Sequence, residues 1–178
     1  MVIIFINKLL YYGLFIVSIY FFVFPYKFGY MWTFFLISFF VAWLASKFID
    51  KYRLNQNFKI LANIALWLGL FGELYLFYYL QYYDKILHFV IPLFITACAY
   101  DFFKKHLKIN KTVIFLSVLG GCVLFEIYEY FLQIFFNLPL MGVWSNNGDL
   151  IMSPLNDTII DLVIDMFGSI TYLIFKRK

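Results

Sequence analysis

Three stretches of this chain concentrate side chains able to do chemistry. Asp84 and His88 stand four residues apart, Glu126, Glu129 and Gln133 follow one another at three and four, and Asp157, Asp161 and Asp165 repeat at four. On a helix each of these spacings puts the side chains on one face. Imidazole and carboxylates together form a ligand set for Zn²⁺ or another divalent cation. The set is rich in carboxylate and has a single histidine among these stretches, which also suits Mg²⁺, Ca²⁺ or Mn²⁺. The same residue types inside a membrane are equally the parts of a proton or cation pathway. His88, Glu126, Glu129, Asp161 and Asp165 are the candidate metal or proton site, with Glu73, Asp84 and Asp157 in support.

Composition dictates the setting of these residues. Of the 178 residues, 65% are hydrophobic and 13% charged, where a soluble domain carries about 25% charged residues and less than half apolar ones. No soluble core of this length would hide so much apolar surface, but lipid solvates it. The 25 Phe and 15 Tyr suit aromatic belts at the membrane faces. Cys98 and Cys122 lie in apolar runs without a partner at metal-ligand spacing and read as buried free thiols.

A spanning helix needs roughly 20 mostly apolar residues. Six candidates meet that need, at about 3–24, 29–46, 59–80, 85–103, 112–136 and 154–175. The expected fold is all-α, a polytopic membrane helical bundle of about six transmembrane helices, forming a single integral membrane domain over 1–178. No small-residue cleavage pattern follows the first candidate, so it reads as a retained span and not as a signal peptide.

Basic residues set the orientation. Lys8, Lys47, Lys51, Arg53, Lys59, Lys104, Lys105, Lys108, Lys111, Lys176, Arg177 and Lys178 fall on one side, and only Lys27 and Lys85 on the other. The expectation is a multi-pass protein of the cell membrane with both termini cytoplasmic. The net charge of +4 is therefore a topology signal. It argues for the lipid bilayer as partner, with anionic headgroups secondary, and against nucleic acid.

At 1.5 Å per residue, Asp157, Asp161 and Asp165 lie about 5, 10 and 16 Å from the outer end of their span, Glu129 and Glu126 about 12 and 16 Å, His88 about 6 Å and Glu73 about 12 Å. Several helices thus bring polar groups to one half of a hydrocarbon layer roughly 30 Å thick. An ionised side chain deep in a span costs about 2.5–3.5 kcal/mol on insertion scales. With Lys85 at the edge and no other Lys or Arg in the outer half, the expected compensation is by protons, bound cations or water. Asp101 is the exception, near Lys104 and Lys105 at the cytoplasmic end. Asp84 and Asp157 are expected at the mouth, within reach of water.

Other features concern packing. Pro92 cannot donate to the His88 carbonyl, and Gly120-Gly121 and Gly168-Ser169 would let backbones approach closely. Residues 137–153 form the longest outer connection, with turn signals at Pro139, Gly142 and Asn147-Gly148; its length suits a plain loop or a lid over the outer face. Ser153-Pro154 reads as N-cap and first residue of the last helix. No P-loop, dinucleotide-binding glycine motif, nucleophile elbow or CxxC occurs.

The segments Tyr83-Asp84-Lys85-Ile86-Leu87-His88-Phe89, Phe125-Glu126-Ile127-Tyr128-Glu129-Tyr130 and Asn156 to Gly168 together resemble the YjdF-type inner-membrane proteins and, more distantly, the VanZ-like family. Those families show an Asp-x-x-x-His-Phe start to one span, a Glu-containing next span and an Asp-rich final span ending in Gly. Tyr130 stands where the YjdF-type pattern tends to have Trp, and Glu129 where the VanZ-like pattern has Gln or a similar residue. The resemblance covers about residues 80–170 and implies no reaction. Three readings stay open: a metal-dependent membrane enzyme acting on lipid-linked or small-molecule substrates, a proton- or cation-conducting transporter, and a structural or regulatory membrane protein without chemistry. The oligomeric state is not legible.

Overall fold

The computed structural model describes residues 2–23, 31–72, 80, 82–136, 141–144 and 149–176. The apolar runs form helices: α1 (Val2–Val23), α2 (Met31–Lys51), α3 (Asn57–Phe71), α4 (Tyr83–His106), α5 (Lys111–Phe136) and α6 (Pro154–Phe175). Between the last two lies a small antiparallel hairpin of β1 (Val143–Trp144) and β2 (Leu150–Met152). The architecture is an all-α membrane helical bundle. Among the described residues, α4, α5 and α6 are long and apolar enough to cross a membrane, and shorter apolar stretches run over Phe5–Val17 and Asn57–Phe71. The third expected span, 59–80, is seen as α3 in its first part; its remainder, including Glu73, lies outside the described residues.

The chain falls into two compact units, Met1–Glu73 and Leu74–Lys178. In the first, α1, α2 and α3 all pack on one another. An apolar helix surface gives no direction to such packing in lipid, so the polar contacts matter. Asn63 is buried and donates through Nδ2 to Asn7 Oδ1 at 2.8 Å. One turn further along α3, Trp67 Nε1 donates to the Leu10 carbonyl at 3.1 Å, and Gly13 leaves room for the indole: a Cβ there would stand 3.1 Å from Trp67 Cζ2.

In the second unit α4 packs most extensively on α6, and α5 packs on both. Each helix buries a stripe at spacing three to four. On α4 it runs through Lys85, His88, Pro92, Thr96 and Tyr100; on α5 through Ile114, Val118, Cys122 and Glu126; on α6 through Asp157, Asp161, Asp165 and Ser169. The other faces carry exposed large apolar side chains such as Leu124, Phe131, Phe135, Ile159 and Phe167, suited to lipid. α4 continues through Pro92. The start of α6 follows the capping rule: the Ser153 hydroxyl accepts from the Asn156 N–H and Pro154 takes the first helical position.

The glycines divide. Gly168 lies directly against the α4 backbone, since a Cβ there would lie 2.2 Å from the Phe89 carbonyl oxygen. Gly120 and Gly121 do not serve the close contact expected of them. A Cβ at either would meet nothing within 4 Å among the described residues, because that face of α5 is turned away from its neighbours.

Candidate functional site

The three stripes meet at the N-terminal ends of α4 and α6 and the C-terminal half of α5. α5 runs antiparallel to the other two, so Glu126, late in its helix, reaches the level of His88 and Asp165. Lys85, His88, Glu126, Asp157, Asp161 and Asp165 are all buried.

The cluster has an outer and a deep part, joined by His88. In the outer part the Lys85 ammonium donates to Asp161 Oδ1 and Oδ2, both at 2.7 Å, and to Asp157. It also lies 3.3 Å from Asp84 Oδ2. His88 Nε2 faces the same group, 3.6 Å from Asp84 Oδ1 and 3.9 Å from Asp161 Oδ1. In the deep part His88 Nδ1 is 3.1 Å from Asp165 Oδ1 and 3.8 Å from Glu126 Oε1. The Cys122 thiol lies beside Asp165. Glu129 is close enough to Asp84, Glu126, His88 and Asp161 to interact with their charges.

Burial makes these contacts obligatory. A charge taken out of water costs several kcal/mol and must find hydrogen-bonded counter-charge. Lys85 does this for Asp157 and Asp161. Here the structure corrects the sequence reading, in which Lys85 stood at the edge and no other Lys or Arg lay in the outer half to pair with the acids. The ammonium is buried because Lys85 lies three residues before His88, on the same inward face. That spacing was the signal available in the sequence. Asp157, expected at the mouth, is also buried, only 5% exposed. Asp84 remains the half-exposed member, with 33% of its side chain accessible.

The hairpin between α5 and α6 meets Asp157. The Gly142 N–H donates to Asp157 Oδ2 at 2.7 Å and the Met141 N–H to Gln133 Oε1 at 2.9 Å. Gly142 adopts φ +88°, and a Cβ would stand 2.9 Å from the Met152 carbonyl oxygen, so the turn requires glycine. The flanking Met141 and Val143 are buried. Pro139 and Asn147-Gly148, the other turn signals of this connection, lie outside the described residues.

Among the described residues, two groups could hold a metal ion: Asp84, His88 and Asp161, and His88, Glu126 and Asp165. In each, one ligand atom per residue lies within 4.8 Å of the others. The two groups differ in satisfaction. Asp161 is already bonded twice by Lys85, whereas in the deep group His88 Nδ1 and Asp165 Oδ1 are hydrogen-bonded at 3.1 Å and Glu126 Oε1, with the Thr158 hydroxyl beside its carboxyl, makes no hydrogen bond of good geometry among the described residues. An under-satisfied buried acceptor costs about 1–3 kcal/mol, so Glu126 Oε1, facing His88 Nδ1 at 3.8 Å, makes the deep group the less fully satisfied one.

Fold and cluster together define an α-helical membrane protein with a buried His/Asp/Glu cluster. Residues 6–177 match a family model described as "Predicted membrane protein (DUF2238)", and the chain belongs to that family. The YjdF-type resemblance falls within it, while the VanZ-like one finds no counterpart in the match. No curated protein and no solved structure matches the chain.

Proposed function

We propose that this protein is a multi-pass protein of the cell membrane, one membrane domain with both termini cytoplasmic, that holds a divalent metal ion at His88, Glu126 and Asp165. The observation that carries the reading is the buried Glu126 Oε1, which makes no hydrogen bond of good geometry among the described residues and lies 3.8 Å from His88 Nδ1. A divalent cation supplies that oxygen with a ligand bond and neutralises the two deep carboxylates with a neutral imidazole beside them. The other face of His88 fits this role: ligating imidazoles generally direct their second nitrogen to a carboxylate, and Nε2 faces Asp84 and Asp161.

Three protein ligands leave an open coordination position, the mark of catalytic rather than structural metal sites. Metal-activated water there would attack a lipid-linked or small-molecule substrate entering from the bilayer, with Glu129 as the nearby carboxylate for its proton. The test is elemental mass spectrometry of the purified protein. One equivalent of metal that is lost on Glu126→Gln is the expected result. A metal-free protein whose melting temperature ignores chelator overturns it.

A specific observation favours one alternative. The two nitrogens of His88 face separate carboxylate pairs, Asp84 with Asp161 and Glu126 with Asp165, which is the connectivity of a proton relay from the half-exposed Asp84 inward. Proton flux in metal-free liposomes, abolished by His88→Ala, would favour that reading over the metal centre.

A further inference from the structure

Resting on the metal reading of the deep triad, the geometry points to Lys85 as the residue that restricts the cluster to a single divalent ion. His88 belongs to both ligand groups, so by ligand types and spacing alone the cluster would take two metals, one on each ring nitrogen. Lys85 removes the second possibility. Its Nζ bonds both Asp161 oxygens at 2.7 Å, among them the Oδ1 that faces His88 Nε2, and lies 3.3 Å from Asp84. A second ion there would sit against an ammonium in a water-poor interior, where like charges repel strongly. It would also have to take Asp161 from its partner.

The ammonium has no easy way out. Lys85 is 9% exposed, and its other partner, Asp157, is held in turn by the Gly142 N–H. Lys85 is thus a resident monovalent cation in the outer half, bonded into place. Among the described residues no Lys or Arg pairs with Glu126 or Asp165, so the deep half keeps its place for an exchangeable ion. Lys85 acts through Asp161 and Asp84 as a positioning residue that sets metal stoichiometry.

Lys85→Met keeps the length of the side chain and removes the charge. It opens Asp84, His88 Nε2 and Asp161 to a second ion, which takes the place of the ring proton. The experiment loads the full-length protein in nanodiscs with Zn²⁺ alone and counts Zn²⁺ per chain by elemental mass spectrometry. The expected counts are one in the natural protein, two in Lys85→Met and one in Lys85→Arg, where the charge is restored. A count of one in Lys85→Met, or two in the natural protein, overturns the role of Lys85 and leaves the deep site standing. No Zn²⁺ in the natural protein overturns the deep site, and this inference with it. If Lys85→Met does not fold, Asp165→Asn decides: with Lys85 still filling the outer half it should bind no Zn²⁺, and retention of one equivalent overturns the inference.

Discussion

Gly168 and Phe89 touch backbone to side-chain position: a Cβ on residue 168 would stand 2.2 Å from the Phe89 carbonyl oxygen. Phe89 follows His88 and Gly168 lies three residues after Asp165, so this close crossing of α4 and α6 brings the imidazole to 3.1 Å from the Asp165 carboxylate. Gly168→Ala would push the helices apart, because the obstacle is backbone and cannot rotate away. Overpacking of this kind costs about 1–3 kcal/mol. We expect a lower melting temperature in detergent and a weaker hold on metal; an unchanged melting temperature would refute the crossing.

Amide substitutions at Glu126 and Asp161 should have opposite signatures. With Asp161 bonded twice to the Lys85 ammonium, Asp161→Asn weakens a buried charge-assisted pair and should cost roughly 1.5–3 kcal/mol whether or not metal is present. Glu126→Gln should lower metal occupancy and remove the stabilisation that metal confers by mass action, while the melting temperature in chelator stays near that of the natural protein. Equal losses in both variants under chelator would contradict this division.

Metal occupancy should fall with pH. Protons compete with the cation for the carboxylates and the imidazole, so binding releases protons and weakens as the solution becomes acid. Dialysis against Zn²⁺ across a pH series, followed by metal analysis, measures it. Occupancy that is flat on the acid side would argue against carboxylate ligands.

Outside the spans, Asp50 in the final turn of α2 accepts from Lys59 Nζ at 2.7 Å, which holds its carboxyl below the usual carboxylate range. Because the folded-state value is depressed, the pair stabilises above the ordinary carboxylate range and its contribution is lost as pH falls through the depressed value. The site is exposed and screened, so the effect on stability is small. Titration of the Asp50 carboxyl by NMR should show the depression, and Lys59→Ala should return it toward normal.

The asymmetry of basic residues predicts a reporter fused after Lys178 to be active only in a cytoplasmic assay. A signal from the opposite side of the membrane would reverse the orientation.

By itself the sequence determined the class of protein and the helices. Apolar runs of spanning length in a chain of low charge admit only helices in lipid, since every backbone polar group must be satisfied within its own segment. The Ser153-Pro154 start of α6 was legible for a local reason, a cap and a fixed φ. The faces bearing His88, Glu126, Asp161 and Asp165 were legible too, because helical spacing fixes which side chains share a side. Glu73, read with them, lies outside the described residues. Tertiary structure alone decided which faces oppose one another. The spacing of Gly120-Gly121 and of Gly168 gave no sign that only the latter would sit against a neighbouring backbone. The spacing to His88 put Lys85 on the inward face, but nothing in the sequence named Asp157 and Asp161 as the partners of its charge. The direction of a long, flexible side chain depends on what surrounds it, and those surroundings come from residues more than 70 positions away in the chain.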